Sequence, residues 1–133
     1  MKNTDILPDK LSDLLELALN DLEKTEKDSN YEIWMGGWHI PSYDRVKCNV
    51  CLAGAVMAQT LEYPLSYNAT DVYDPKFLAL NQVRQGYVTM ALWNLGHIDV
   101  ESWNVHIIRY SVNPIQFKQT LRDLVPHLRE KGY

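Results

Sequence analysis

Cysteine is almost absent from this chain: two residues, Cys48 and Cys51, in 133. That excludes the disulfide framework of a small secreted domain, and a reducing compartment keeps both as thiols. Long apolar runs are missing too. The longest, Val50 to Ala58, is nine residues, whereas a bilayer span takes roughly twenty. The first residues, MKNTDILPDK, carry no apolar segment of the kind a secretory signal requires. No block of lysine and arginine occurs, so a nucleic-acid partner finds no electrostatic footprint. Gly36-Gly37 lacks both the Gly-Lys-Ser/Thr ending of a phosphate loop and the spaced third glycine of a dinucleotide loop. No serine sits in a nucleophile-elbow setting. These absences predict a cytoplasmic protein with neither a membrane nor a nucleic-acid partner.

What is present is an ordinary globular composition, with 46% hydrophobic residues and a net charge of only −4, which excludes disorder. The length suits one domain, residues 1–133, able to bury roughly two-thirds of its unfolded surface without a metal or disulfide staple. Charge is uneven. Residues 1–32 carry nine acids against four bases, and the rest of the chain eight acids and nine bases. The acidic segment reads first as a solvated helix face and second as a surface for a basic partner.

Leu11, Leu14, Leu15, Ala18, Leu19 and Leu22 form the stripe of an amphipathic helix, with Pro8 placed for its first turn and its end near Lys27. Tyr31 to Met35 reads as a short extended piece, broken by Gly36-Gly37. From about Lys47 to Leu61 the pattern predicts a central helix, apolar on most sides. Its Gly54 implies close approach of another backbone, because a mid-helix glycine costs on the order of 1 kcal/mol against alanine. Residues 62–74 form a tyrosine-bearing loop. Asp74-Pro75 and Asn113-Pro114 are cap-and-proline starts for two further helices, the first ending near Gly86 and the second with Pro126 placed to kink it. Val88, Ala91, Leu92 and Leu95 give another helical piece, closed by Gly96. In ESWNVHIIRY, Trp103, Val105 and Ile107 alternate as in a strand, while Asp99 is equally placed to cap a short helix. The expectation is a mainly α bundle of about five helices, with room for a two-stranded β element near 31–35 and 103–110.

The Trp-Gly stretch, the loop and the small-residue helix led by Cys51-Leu-Ala-Gly-Ala, with KFLALNQVRQG after it, resemble a pattern in small uncharacterised bacterial and bacteriophage proteins. The likeness covers residues 31–96. It implies a small helical domain, with a phage or mobile-element accessory protein as its setting, and no activity or site residue.

The Cys48-x-x-Cys51 pair supports several readings. A thiol–disulfide site would use a helix N-terminus to stabilise a thiolate, yet the Trp-Cys-Gly-Pro-Cys sequence is absent, and Ala55 stands where helical peroxidase-reducing proteins carry a histidine. Zinc would take Cys48 and Cys51 as half of a tetrahedral site, completed by single histidines such as His39 and His97; no second Cys-x-x-Cys or His-x₃-His exists. The deaminase pattern fails, since Ile40-Pro41 follows His39. A cysteine nucleophile would need His39 or His97 as base. The favoured reading makes both cysteines small buried hydrophobes. His97, Asp99 and Glu101, and the pair Glu32 and Asp44, are weaker candidates for metal binding and for acid–base work.

The aromatic residues are skewed: eight tyrosines and four tryptophans against two phenylalanines. Tyrosine and tryptophan favour half-wet positions and interfaces. The expectation is therefore a non-catalytic interaction protein without a cofactor. It binds a host protein through loops bearing Trp34, Trp38, Tyr43, Tyr67 and Tyr73. The alternatives are a zinc- or thiol-dependent protein and a small-molecule sensor with its pocket under the aromatic loops.

Overall fold

In the computed structural model, which describes residues 4–44, 46–69 and 73–133, the first helix, α1 (Leu11–Glu26), buries all six residues of its apolar stripe completely. It begins three residues beyond Pro8, with no side-chain cap. Three short strands follow, β1 (Tyr31–Ile33), β2 (His39–Pro41) and β3 (Cys48–Val50), then α2 (Leu52–Gln59), α3 (Pro75–Val83), α4 (Val88–Asn94) and α5 (Pro114–Glu130). The fold is mainly α, as expected. Residues 70–72 of the tyrosine-bearing loop lie outside the described residues.

The β element has three strands, in the order β1-β3-β2. β3 pairs in parallel with β1, Tyr31 opposite Cys48, and antiparallel with β2, His39 opposite Val50. The helix expected from Lys47 thus starts at Leu52, and the residues before it are the central strand. Periodicity cannot separate a short buried strand from the start of a buried helix. The switch between them is Cys51, whose extended backbone (φ −89°, ψ −168°) ends the strand and whose sulfur accepts the Gly54 N–H. Gly54 does meet another backbone. A Cβ there would stand 1.7 Å from the Trp38 carbonyl oxygen, so no side chain fits.

Asp74 and Asn113 cap α3 and α5 as their sequences predict, accepting from Lys76 N–H and Gln116 N–H, each with proline at the first helical position. α5 continues past the exposed Pro126 to Glu130. Residues 101–110 form neither helix nor strand and do not pair with β1. The expected alternation survives, with Trp103, Val105 and Ile107 half-buried and Asn104 and His106 exposed. The partner is instead the turn before α4. Val105 N–H donates to the Gly86 carbonyl (3.0 Å), Thr89 N–H to the Trp103 carbonyl (3.1 Å), and Tyr87 and Asn104 form one antiparallel bridge. Gly86 has φ +90°, and its missing Cβ would lie 2.0 Å from the Val105 carbonyl oxygen. A one-bridge contact pins the segment without building a sheet.

One cluster of buried residues draws on all five helices. Outside it, α1 and α5 are laced by ion pairs. Arg129 meets Asp13 and Glu16, Arg122 meets Glu23, and Lys118 meets Glu26. The numbers rise along α5 as they fall along α1, so the helices run antiparallel. Four acids of the acidic N-terminal segment are thus partnered by the chain's own last helix. Among the described residues, no helix is long and apolar enough to cross a membrane.

Candidate functional site

β2 and β3 bring His39 against Cys48, with Nδ1 and Sγ 3.4 Å apart. The same Nδ1 lies 2.6 Å from the Tyr67 carbonyl oxygen. A carbonyl only accepts, so Nδ1 carries the proton and the lone pair sits on Nε2. Nε2 is buried and has no hydrogen-bond partner among the described residues. Tyr31, Tyr63 and Tyr67 pack around the ring, at centroid distances of 6.3, 6.1 and 6.3 Å. Burial lowers the His39 pKa, against the raising effect of the Tyr67 carbonyl, and the ring stays neutral.

This arrangement opposes nucleophilic chemistry. Burial pushes the Cys48 thiol up to about 11, which leaves about one molecule in ten thousand as thiolate at pH 7. The imidazole nitrogen facing the thiol already holds a proton and cannot take another. Cys51 is also buried, its pKa is raised by burial, and its sulfur caps α2. Both cysteines are free thiols.

Of the zinc alternative, the structure joins only Cys48 and His39, while His97 packs on the Tyr133 ring at 4.8 Å. Among the described residues, no three His, Cys, Asp or Glu side chains are placed to hold a metal ion. Asp99 and Glu101 are exposed and start no helix. Glu32 pairs with Lys47 at 3.2 Å, and Asp44 accepts from the Ser42 hydroxyl and the Val46 N–H, which lower its pKa. Both carboxylates are occupied in stabilising their loop.

The five aromatic candidates divide. Tyr43 and Tyr73 are almost fully exposed and Trp34 is half-exposed. Trp38 and Tyr67 are partly buried against the core, and Tyr67 belongs to the cluster round His39.

Trp34 has a distinct setting. Its N–H donates to the Val50 carbonyl (2.9 Å), extending the β1–β3 ladder by one step. Its indole then lies on Gly36-Gly37. A Cβ on Gly36 would come within 2.9 Å of the ring, and one on Gly37 within 3.0 Å. The two glycines form the bed of this indole as well as a break in the strand. Beside it is a cleft of about 610 Å³. Ile33, Trp34, Met35 and Gly36 line one side, and Ile107, Tyr110, Pro114 and Phe117 come from the distant segment that leads into α5. Arg84, Gln85, Arg109 and Ser111 complete the lining.

Arg84 caps the end of α3, and its Nε donates to Asn81 Oδ1 at 2.9 Å. It is half-buried, and burial lowers its pKa, though a guanidinium stays charged. No carboxylate among the described residues pairs with it or with Arg109. Glu26, which the cleft residue Tyr110 reaches, is engaged there and on α5, accepting from the Tyr110 hydroxyl (2.7 Å) and from Lys118 (2.7 Å). Burial, and then Glu26, raise the Tyr110 pKa, so the hydroxyl remains a donor.

Sequence reasoning found Trp34 and missed Arg84, Tyr110 and Phe117. Each reads alone as a helix-end cation or a core aromatic, and no local pattern joins residues 34, 84 and 110. Comparison with protein-family models, curated proteins and solved structures finds nothing that matches this chain.

Proposed function

We propose that this protein is a non-catalytic binding protein whose ligand seats in the cleft beside Trp34. The observation that carries this reading is the cleft itself. It is concave, mostly apolar, of the size of ordinary ligand sites, and provided with a few polar groups that fix orientation. Its Trp34 wall is held out by the ladder bond to Val50 and the glycine bed. The buried, protonated Cys48 and the already donating Nδ1 of His39 weigh against a thiol enzyme.

The test is a fragment screen on ¹⁵N-labelled protein. Small apolar fragments should shift the Trp34 indole N–H and the amides of Met35, Gln85 and Tyr110 together. They should also lose affinity at least tenfold in Trp34→Ala. Saturable shifts elsewhere, with these residues silent, would sink the proposal.

A second reading has its own observation. Tyr43 and Tyr73 project almost wholly into solvent, as residues of a protein-recognition surface do. A host protein is the partner class that the bacteriophage resemblance suggests. Paired Tyr43→Ala and Tyr73→Ala changes that leave partner capture intact would dismiss it.

A further inference from the structure

Resting on the cleft reading, we propose that the ligand is a small organic acid: a flat apolar body seated beside Trp34, with one carboxylate on Arg84. A half-buried guanidinium without a carboxylate partner among the described residues keeps its donors and its charge for a ligand. Such donors match a carboxylate two-to-two. One Arg84 bond, Nε to Asn81 Oδ1, fixes the direction of the side chain. Arg109, exposed on the same cleft, adds a second positive charge, so the local field favours an anion of charge −1. The Tyr110 hydroxyl already donates to Glu26, so the ligand's charge falls to arginine alone. Trp34, Ile107 and Phe117 in the same lining offer flat apolar contact. This favours a planar or chain-like hydrocarbon body over a heavily hydrated anion such as phosphate.

The experiment is a titration followed by ¹⁵N–¹H shifts with three probes of one shape: 3-phenylpropionate, 3-phenylpropanol and 3-phenylpropylammonium. The acid should saturate the Trp34 and Gln85 signals with a Kd at least tenfold below that of the alcohol. The ammonium should not bind. In Arg84→Gln the acid should weaken to the affinity of the alcohol, with the Trp34 shifts retained. Acid and alcohol binding equally well at these residues would overturn the carboxylate assignment and leave the cleft reading standing. No shift with any of the three would overturn both. Inorganic phosphate binding as tightly as the acid would also overturn the assignment, since it has no apolar body. Because the three probes are compared on the unaltered chain, the test holds even if Arg84→Gln fails to fold.

Discussion

Along the α1–α5 seam, Lys118, Arg122 and Arg129 each meet a carboxylate, whereas at the cleft Arg84 and Arg109 meet none among the described residues. The same side chains therefore serve two ends. On the seam they pair with four acids of a segment that, read alone, suggested first a solvated helix face and second a surface for a basic partner. At the cleft the cation sits beside exposed tryptophan with its charge unspent. The seam pairs are partly exposed, and pairs of that kind contribute little, typically about 0–1 kcal/mol. What holds the helices together is the apolar layer beneath. An unpaired, half-buried cation gains no ion-pair energy to set against its desolvation, which is the property expected of a group kept for something else.

The contrast is sharpest if the layer under the seam is broken. Leu121→Ala removes a fully buried side chain and should cost about 2–5 kcal/mol in urea unfolding, by lost transfer energy and a residual cavity. A loss below about 1 kcal/mol would mean that the charges, and not the apolar layer, hold the seam.

The next effect comes from His39. Its folded-state pKa lies below the ordinary 6.5 because burial disfavours the cation. The unfolded chain therefore takes up the proton first. Stability should be fully present above pH 6.5 and fall as the pH drops through the window beneath it. The urea midpoint measured from pH 7.5 down to about 5 should show that slope, and His39→Gln should flatten it. An unchanged slope in the variant would place the proton uptake elsewhere.

Smaller still is the seam charge. Arg122→Gln removes the pair with Glu23 and should lower stability by no more than about 1 kcal/mol, with the difference shrinking in high salt. From pH 4.5 downward the difference should fade as well. Glu23, whose pKa Arg122 holds down by hydrogen bonding, contributes only while ionised, and that contribution goes as the pH falls through its folded value.

The smallest stability effect should be that of Arg84→Gln, within about 0.5 kcal/mol of zero, because no ion pair is lost and the relieved desolvation offsets the lost hydrogen bond to Asn81. Its effect should fall on ligand affinity instead. A large loss of stability in this variant would make Arg84 a structural residue and erase the contrast.

Much of the helical framework was legible because its signals are local. The α1 stripe, the Asp74-Pro75 and Asn113-Pro114 caps, and the glycine that admits a neighbouring backbone each depend on residues within a turn or two. The fate of the acids on α1 depended on residues about a hundred positions away. So did the cleft, whose walls come from residues 33–36 and 107–117, with Arg84 between them in sequence. The Cys-x-x-Cys spacing was legible as text, but what each sulfur does was not: one cysteine belongs to a strand and the next caps a helix, and both are buried.

By itself the sequence determined the mainly helical class, the position of α1, the capped starts of α3 and α5, and the need for glycine at position 54. Periodicity, capping and the missing Cβ act over short stretches of chain. Only the tertiary structure decided that residues 48–50 are a central strand. It also decided that residues 101–110 dock on a turn, and that four of the N-terminal acids meet α5 while Arg84 meets no carboxylate among the described residues. Strand pairing and ion pairing join residues that nothing in the local sequence relates, and their outcome is fixed by how the packed core brings them together.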